Sequence, residues 1–163
     1  MHDQMLMTLH IRFSRSHGAH PALDGAAASC CLRTTTTTIN MSLTIQSQNK
    51  VFEGVLTKYS FRSKVLGGLE AKMNVFLPES ANAGHKVPVL YFLSGLTCTE
   101  DNAAQKGHFF EAAAKEQLAI VFPDTSPRGA NIPGEEDSWD FGTGAGFYVN
   151  ATKEPWNKYY NMY

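Results

Sequence analysis

An α/β architecture whose sheet begins antiparallel and becomes parallel is what this sequence predicts, on three observations. Two short β-type runs flank the Gly67-Gly68 pair. An apolar run of strand length, Val87 to Leu93, is followed by a loop and a helix-favouring stretch. A second apolar run, Leu118 to Phe122, closes that unit. Strand, helix and strand in this order make a βαβ unit, whose two strands pair in parallel.

The first strand is expected around Val51 to Phe61 and the second around Glu70 to Leu77, an antiparallel pair joined through the glycines. Pro78 and the Asn82-Ala83-Gly84 stretch end the second. Pro88 stands at the start of the next run, where a missing N–H does least harm. Val89 to Leu93 is then expected as a strand buried on both faces. After the Ser94 to Glu100 loop, a helix is expected from about Lys106 to Gln117, with Ala, Phe and Glu at helix-favouring positions. Leu118 to Phe122 is the next buried strand, ending at Pro123-Asp124. From Thr125 to Thr152 the chain is rich in Gly, Asp, Pro and aromatic residues without a repeat. That is too long for a simple connector and points to a functional loop. Glu154-Pro155 begins a helix by the proline-at-first-turn signal, unfinished at Tyr163. No repeat recurs at solenoid periods.

At 163 residues the chain fits one ordinary domain, and 14 basic against 15 acidic residues leave a net charge of −1, with no basic patch or stripe. Nucleic-acid and membrane-surface roles are thereby disfavoured, since both need clustered Lys and Arg. Cys30, Cys31 and Cys98 have neither the even count of a disulfide framework nor the paired spacing of a zinc site, so a reducing compartment is the default. No apolar run approaches a membrane span.

The first forty residues differ from the rest. They hold His2, His10, His17 and His20, an Ala26 to Ala28 run and a Thr34 to Thr38 run. This low-complexity composition is poorly suited to burying a core. Arg12, Arg15 and Arg33, with only Asp3 and Asp24 as acids, give it some likeness to an organelle transit peptide. Met41 begins a segment that looks like a natural start, and a disordered extension or an over-called upstream start is favoured over a transit peptide.

In open α/β sheets ligands collect beyond the carboxyl ends of the strands, which here means the loops after Leu93 and Phe122. Ser94-Gly95-Leu96-Thr97 follows its strand directly. Gly95 lets the backbone turn and be approached closely, so that the next N–H groups can face an oxyanion; the same residues also read as a plain strand-to-loop turn. Glu135, Glu136 and Asp137 read as a solvated acidic loop, since no His or Cys ligand lies nearby to make a metal site. His108 reads as a capping or surface residue. Gly142 to Gly146 has the composition of a phosphate-cradling loop but lacks the preceding strand, the following helix and the lysine.

Three blocks, Tyr91 to Asn102 (YFLSGLTCTEDN), Phe122 to Asn131 (FPDTSPRGAN) and Asp137 to Tyr148 (DSWDFGTGAGFY), closely resemble consecutive blocks of the S-formylglutathione hydrolases in order and spacing. These are the esterase D type of α/β-hydrolase. The resemblance covers about Lys50 to Tyr163 and implies an α/β-hydrolase fold, incomplete, represented by its N-terminal strands, first βαβ unit and following loop. It further implies a serine hydrolase that cleaves S-formylglutathione to glutathione and formate, with carboxylesterase activity on small esters. Such an enzyme works through serine, aspartate and histidine in that chain order, the serine on a Gly-x-Ser-x-Gly elbow. That elbow is absent: Ser94, Ser126 and Ser138 have Phe92, Asp124 and Glu136 two positions upstream, and no histidine follows His108. The nucleophile, acid and base are therefore expected beyond Tyr163, and the chain is expected to be inactive alone, as a truncated product or an incomplete gene model. The rival expectation is a non-catalytic fragment that pairs an open sheet edge with another chain.

What the resemblance carries over is support for a site. The N–H of Leu96, after Gly95, would be one oxyanion donor. Cys98 matches a family cysteine near the active site and is a candidate for thiol sensitivity or a buried inert thiol. Trp139, Asp140 and Phe141 lie in the loop that covers the family's pocket, either shaping it or packing the loop itself. No metal or organic cofactor is implied, because a serine triad needs neither. The complete enzyme is expected to be a cytoplasmic homodimer, or mitochondrial if the first forty residues are a transit peptide.

Overall fold

The structure, a computed structural model, describes residues 42–147 and 149–161. The readings of the first forty residues and of the start at Met41 lie outside the described residues.

The expected antiparallel start is present, but with an additional strand. The run from Val51 to Phe61 is broken at Phe52, whose φ of 48° turns the chain with Glu53. The residues before the break fold back as β1 (Thr44–Val51) on β2 (Gly54–Arg62), which in turn pairs antiparallel with β3 (Glu70–Pro78). Strand β1 is almost wholly exposed, so it has no apolar alternation to announce it. Backbone pairing holds it, helped by Gln46 donating to Ser60 Oγ at 2.9 Å and Gln48 to Thr57 Oγ1 at 3.2 Å.

After the short α1 (Glu79–Asn82), β4 (Val89–Tyr91) and β5 (Ala119–Pro123) form the expected parallel pair, giving one sheet in the order β1-β2-β3-β5-β4. Strand β5 lies between β3 and β4 and is buried from Ala119 to Phe122. Burial of β4 on both faces is not what the structure shows. Val89, Leu90 and Tyr91 are 41, 43 and 46% exposed, because among the described residues β4 pairs with β5 alone and forms the sheet's edge. A continuous apolar run reads alike whether a strand has one neighbour or two.

The expected helix from Lys106 to Gln117 is instead two. Helix α2 (Glu100–Lys106) starts early because Thr99 caps it: Thr99 Oγ1 accepts the Asp101 N–H at 3.3 Å, and Asn102 Oδ1 accepts the Thr99 N–H at 2.9 Å. Gly107 and His108, the latter exposed at φ 51°, separate it from α3 (Phe110–Lys115). The break turns Phe109 and Phe110 onto the sheet. Phe110 packs on Phe76 at 5.1 Å between ring centroids, Phe109 on Phe92 at 5.1 Å, and both on Phe122 at 6.0 and 6.1 Å. Phe76 and Phe122 are fully buried, each stabilising the fold by about 1.5–3 kcal/mol of transfer free energy. Tyr59, Val75 and Val121 form a smaller cluster on the opposite face. No helix among the described residues is long and apolar enough to cross a membrane.

A polar knot ties α2 to the sheet. Lys58 Nζ meets Glu100 Oε1 at 2.8 Å and Asp101 Oδ2 at 2.6 Å, while Asn74 Nδ2 donates to Asp101 Oδ1 at 2.8 Å and to the Glu100 carbonyl at 2.9 Å. Burial opposes ionisation of Asp101, yet hydrogen bonds from Lys58 and Asn74 outweigh it and hold the carboxyl below its ordinary 3.8. Burial likewise works against charged Lys58, and bonds to Asp101 and Glu100 raise it above 10.5 nonetheless. A depressed carboxylate contributes stability above its unfolded pKa, which is lost as pH falls through the folded value; a raised lysine contributes stability below 10.5, lost as pH rises past its folded value. Urea titrations from pH 7 down to pH ~2 should therefore show an acid limb that is shallower in Asp101→Asn than in the native chain. Equal limbs in both would show that the knot contributes nothing.

Candidate active site

The three sequence blocks meet at the carboxyl ends of β4 and β5. The segment after β4 closes a β-turn from Gly95 to Cys98, with the Cys98 N–H donating to the Gly95 carbonyl at 3.1 Å. Thr97, third in that turn, has φ 62°. This is the position that glycine or asparagine ordinarily takes in a type II turn, and a β-branched residue there is strained. Gly95 opens the turn, as the sequence leads one to expect, but without using glycine's conformational freedom: its φ lies outside the left-handed region and a Cβ on it would meet nothing within 4 Å. What Gly95 provides is open space beside the backbone.

The turn is held from both flanks. Thr97 N–H donates to the Gly144 carbonyl at 2.9 Å, and Arg128 Nη2 donates to the Cys98 carbonyl at 3.1 Å. Arg128 is itself fixed by Asp124 at the end of β5, through Nε to Oδ2 at 2.5 Å and Nη2 to Oδ1 at 3.4 Å. With Thr97 and Cys98 N–H both engaged, the N–H groups of Gly95 and Leu96 are the donors of the turn that bond to no acceptor among the described residues. Leu96 is half-buried and Gly95 exposed. Cys98 is a free, half-buried thiol.

The long loop is ordered by a buried carboxylate. The acidic stretch expected to be solvated is so only in part: Glu136 and Asp137 are exposed, but Glu135 is 3% exposed. Its Oε2 accepts the Ile132 N–H at 3.0 Å and its Oε1 accepts the Tyr160 hydroxyl at 2.6 Å. Burial and this bond to Glu135 push the Tyr160 hydroxyl well above its ordinary pKa of 10.0, so it stays a donor. The segment after Pro155 forms a single 3-10 turn (Trp156–Lys158) in place of the expected helix. It carries Trp156, on which Phe141 and Tyr160 pack edge-on at 5.0 and 5.1 Å. Phe141, Phe147, Val149, Trp156 and Tyr160 line an open, mostly apolar cavity of about 380 Å³.

A family model described as "Putative esterase" matches residues 63–163. The chain belongs to this esterase family. The S-formylglutathione hydrolase of Mus musculus is 52% identical over 123 residues, which are 76% of this chain and 43% of that protein. That of Arabidopsis thaliana is 50% identical over 114 residues, 70% of this chain and 39% of the relative. The solved S-formylglutathione hydrolase from Agrobacterium tumefaciens matches with a TM-score of 0.67 at 43% identity, over 72% of this chain and 42% of that one. The chain thus spans less than half the length of the curated relatives it matches, and its fold is part of an α/β-hydrolase.

Of the residues singled out from sequence, the structure brings Gly95, Leu96 and Cys98 into one turn and places Phe141 in the cavity wall. Trp139 is 72% exposed and does not line that cavity. Asp140 is exposed and accepts a hydrogen bond from Ser138. Sequence reasoning missed Ser126, Arg128, Glu135 and Tyr160. The first two lie in a block matched as a whole, and the signal for Glu135 and Tyr160 is spatial, their bond spanning 25 positions.

Proposed function

We propose that this chain supplies the oxyanion turn and pocket loop of a serine hydrolase that cleaves S-formylglutathione and small esters. One observation carries the reading: Leu96 N–H is left undonated in a clamped turn at the carboxyl end of a parallel strand, where an acyl oxyanion would be received. The cavity beside Phe141 and Trp156 suits the substrate's acyl or glutathione end. On this reading the second oxyanion donor and the serine, aspartate and histidine are supplied from outside these 163 residues.

The test uses the full chain joined to the remainder of the Mus musculus enzyme. It should hydrolyse S-formylglutathione and p-nitrophenyl acetate, and Leu96→Pro should lower kcat roughly 10²- to 10³-fold. Proline is favoured at the second position of a type II turn, so this change removes the N–H while keeping the turn. Undiminished kcat would refute the assignment. The 163-residue chain alone is expected to give neither turnover nor fluorophosphonate labelling, since Ser126 Oγ is buried against Gly144 and Pro127, and Ser138 bonds Asp140.

A second reading rests on β4, whose apolar side chains are exposed on an edge with no further strand among the described residues. There the chain acts as a non-catalytic partner that adds a strand from another polypeptide. Concentration-dependent self-association abolished by Leu90→Lys would favour it; a monomer would count against it.

A further inference from the structure

We propose that Ser126 is a positioning residue for the oxyanion turn, acting on Leu96 through Gly144 and Thr97; this rests on the reading of the turn given above. Ser126 is 6% exposed, next to the fully buried Pro127. Its Oγ accepts the Gly144 N–H at 2.8 Å and its hydroxyl proton goes to the Pro127 carbonyl at 3.1 Å. The other side of the Gly144 residue, its carbonyl, accepts the Thr97 N–H at 2.9 Å. A single hydroxyl therefore fixes a glycine whose carbonyl fixes the turn.

Gly144 has φ 89°, and a Cβ on it would stand 3.3 Å from Thr97 Cα, so the approach of the two backbones is close as well as hydrogen-bonded. Thr97 needs that restraint. A β-branched residue at φ 62° leaves the left-handed region unless something over-determines it. Release would let the Leu96–Thr97 peptide plane flip and carry Thr97 to negative φ. The Leu96 N–H lies on the adjoining Gly95–Leu96 peptide, so once Thr97 is no longer anchored to Gly144 the turn that carries this donor is free to shift and its aim is no longer fixed. Arg128 restrains the Cys98 carbonyl on the far side but does not touch that peptide plane. Ser126 itself is sealed beneath the loop by Pro127 and Gly144, and its part is to hold the donor rather than to meet the substrate.

The experiment has two readouts. In the 163-residue chain, amide exchange by NMR should find Thr97 and Gly144 protected and Leu96 exchanging fast. Ser126→Ala should speed exchange at Thr97 and Gly144 roughly tenfold or more, and move the Thr97 Cα and Cβ shifts off their left-handed values, while β5 amides keep their protection. Ser126→Thr, which keeps the hydroxyl, should restore both. If the alanine variant loses β5 protection, Ser126→Cys, which keeps the volume with a poor acceptor, gives the same comparison. In the chain joined to the remainder of the Mus musculus enzyme, Ser126→Ala should lower kcat for S-formylglutathione roughly 10- to 100-fold with KM little changed, and Ser126→Thr should recover it. Unchanged Thr97 exchange, or unchanged kcat in an active joined protein, overturns the positioning role alone. A joined protein that folds with native Ser126 and hydrolyses neither ester overturns the functional reading, and the positioning role with it.

Discussion

Gly142→Ala should unfold at markedly lower urea than the native chain, by about 2–4 kcal/mol. Gly142 has φ 72°, and an added Cβ would stand 2.1 Å from the Glu135 carbonyl oxygen, a backbone atom with no flexible end to swing away. Two costs combine: the left-handed conformation, about 1–2 kcal/mol for an L-residue, and displacement of a backbone whose side chain is tied to Tyr160 and Ile132. Gly129→Ala separates them. Its φ is 80° but a Cβ there meets nothing within 4 Å, so it should show the conformational cost alone. Equal losses in the two variants would mean that the contact with Glu135 is not tight. The displacement should also move Phe141 from Trp156, which tryptophan fluorescence reads directly.

Phe122→Ala should cost about 3–5 kcal/mol, a large share of a typical domain's 5–15 kcal/mol. The ring is fully buried and touches Phe92, Phe109 and Phe110, at 6.0, 6.0 and 6.1 Å between centroids. Phe92 follows the end of β4, while Phe109 and Phe110 stand together at the start of α3, just after its break from α2. No neighbour is free to collapse into the space, so a cavity term adds to the transfer term. Phe122→Leu, which fills most of the volume, should recover more than half of the loss. A cost below about 1 kcal/mol in the alanine variant would show that the helices close over the gap. Asp124 follows two residues later and anchors Arg128, so slackening of β5 should also reach the Cys98 carbonyl.

The parallel unit was legible in the sequence because its signal is local: Val87 to Leu93 and Leu118 to Phe122 are apolar runs of strand length with a helix-favouring stretch between them. What failed were inferences needing knowledge of a neighbour. The apolar run at β4 says that both faces are suited to burial, not that both are covered. Strand β1 is polar and exposed, and only the left-handed turn at Phe52 reveals it. Glu135 has the same neighbours in composition as Glu136 and Asp137; what buries it is Tyr160, far along the chain. The structure has a turn after β4 at the Ser94 to Thr97 segment singled out in the sequence, yet its strain falls on Thr97, a residue type that gives no warning of positive φ, rather than on a glycine. The capping box at Thr99 was readable, and would have placed the start of α2 six residues earlier.

The strand order has a consequence for how the molecule comes into being. Strands β1, β2 and β3 are successive neighbours and can zip together as soon as each leaves the ribosome. Strand β4 cannot join them, because its place is beyond β5, which is synthesised later and must slide in between. For the time needed to make the two helices and β5, the nascent chain carries an apolar strand with no hydrogen-bonding neighbour, and in that interval a chaperone has something to hold.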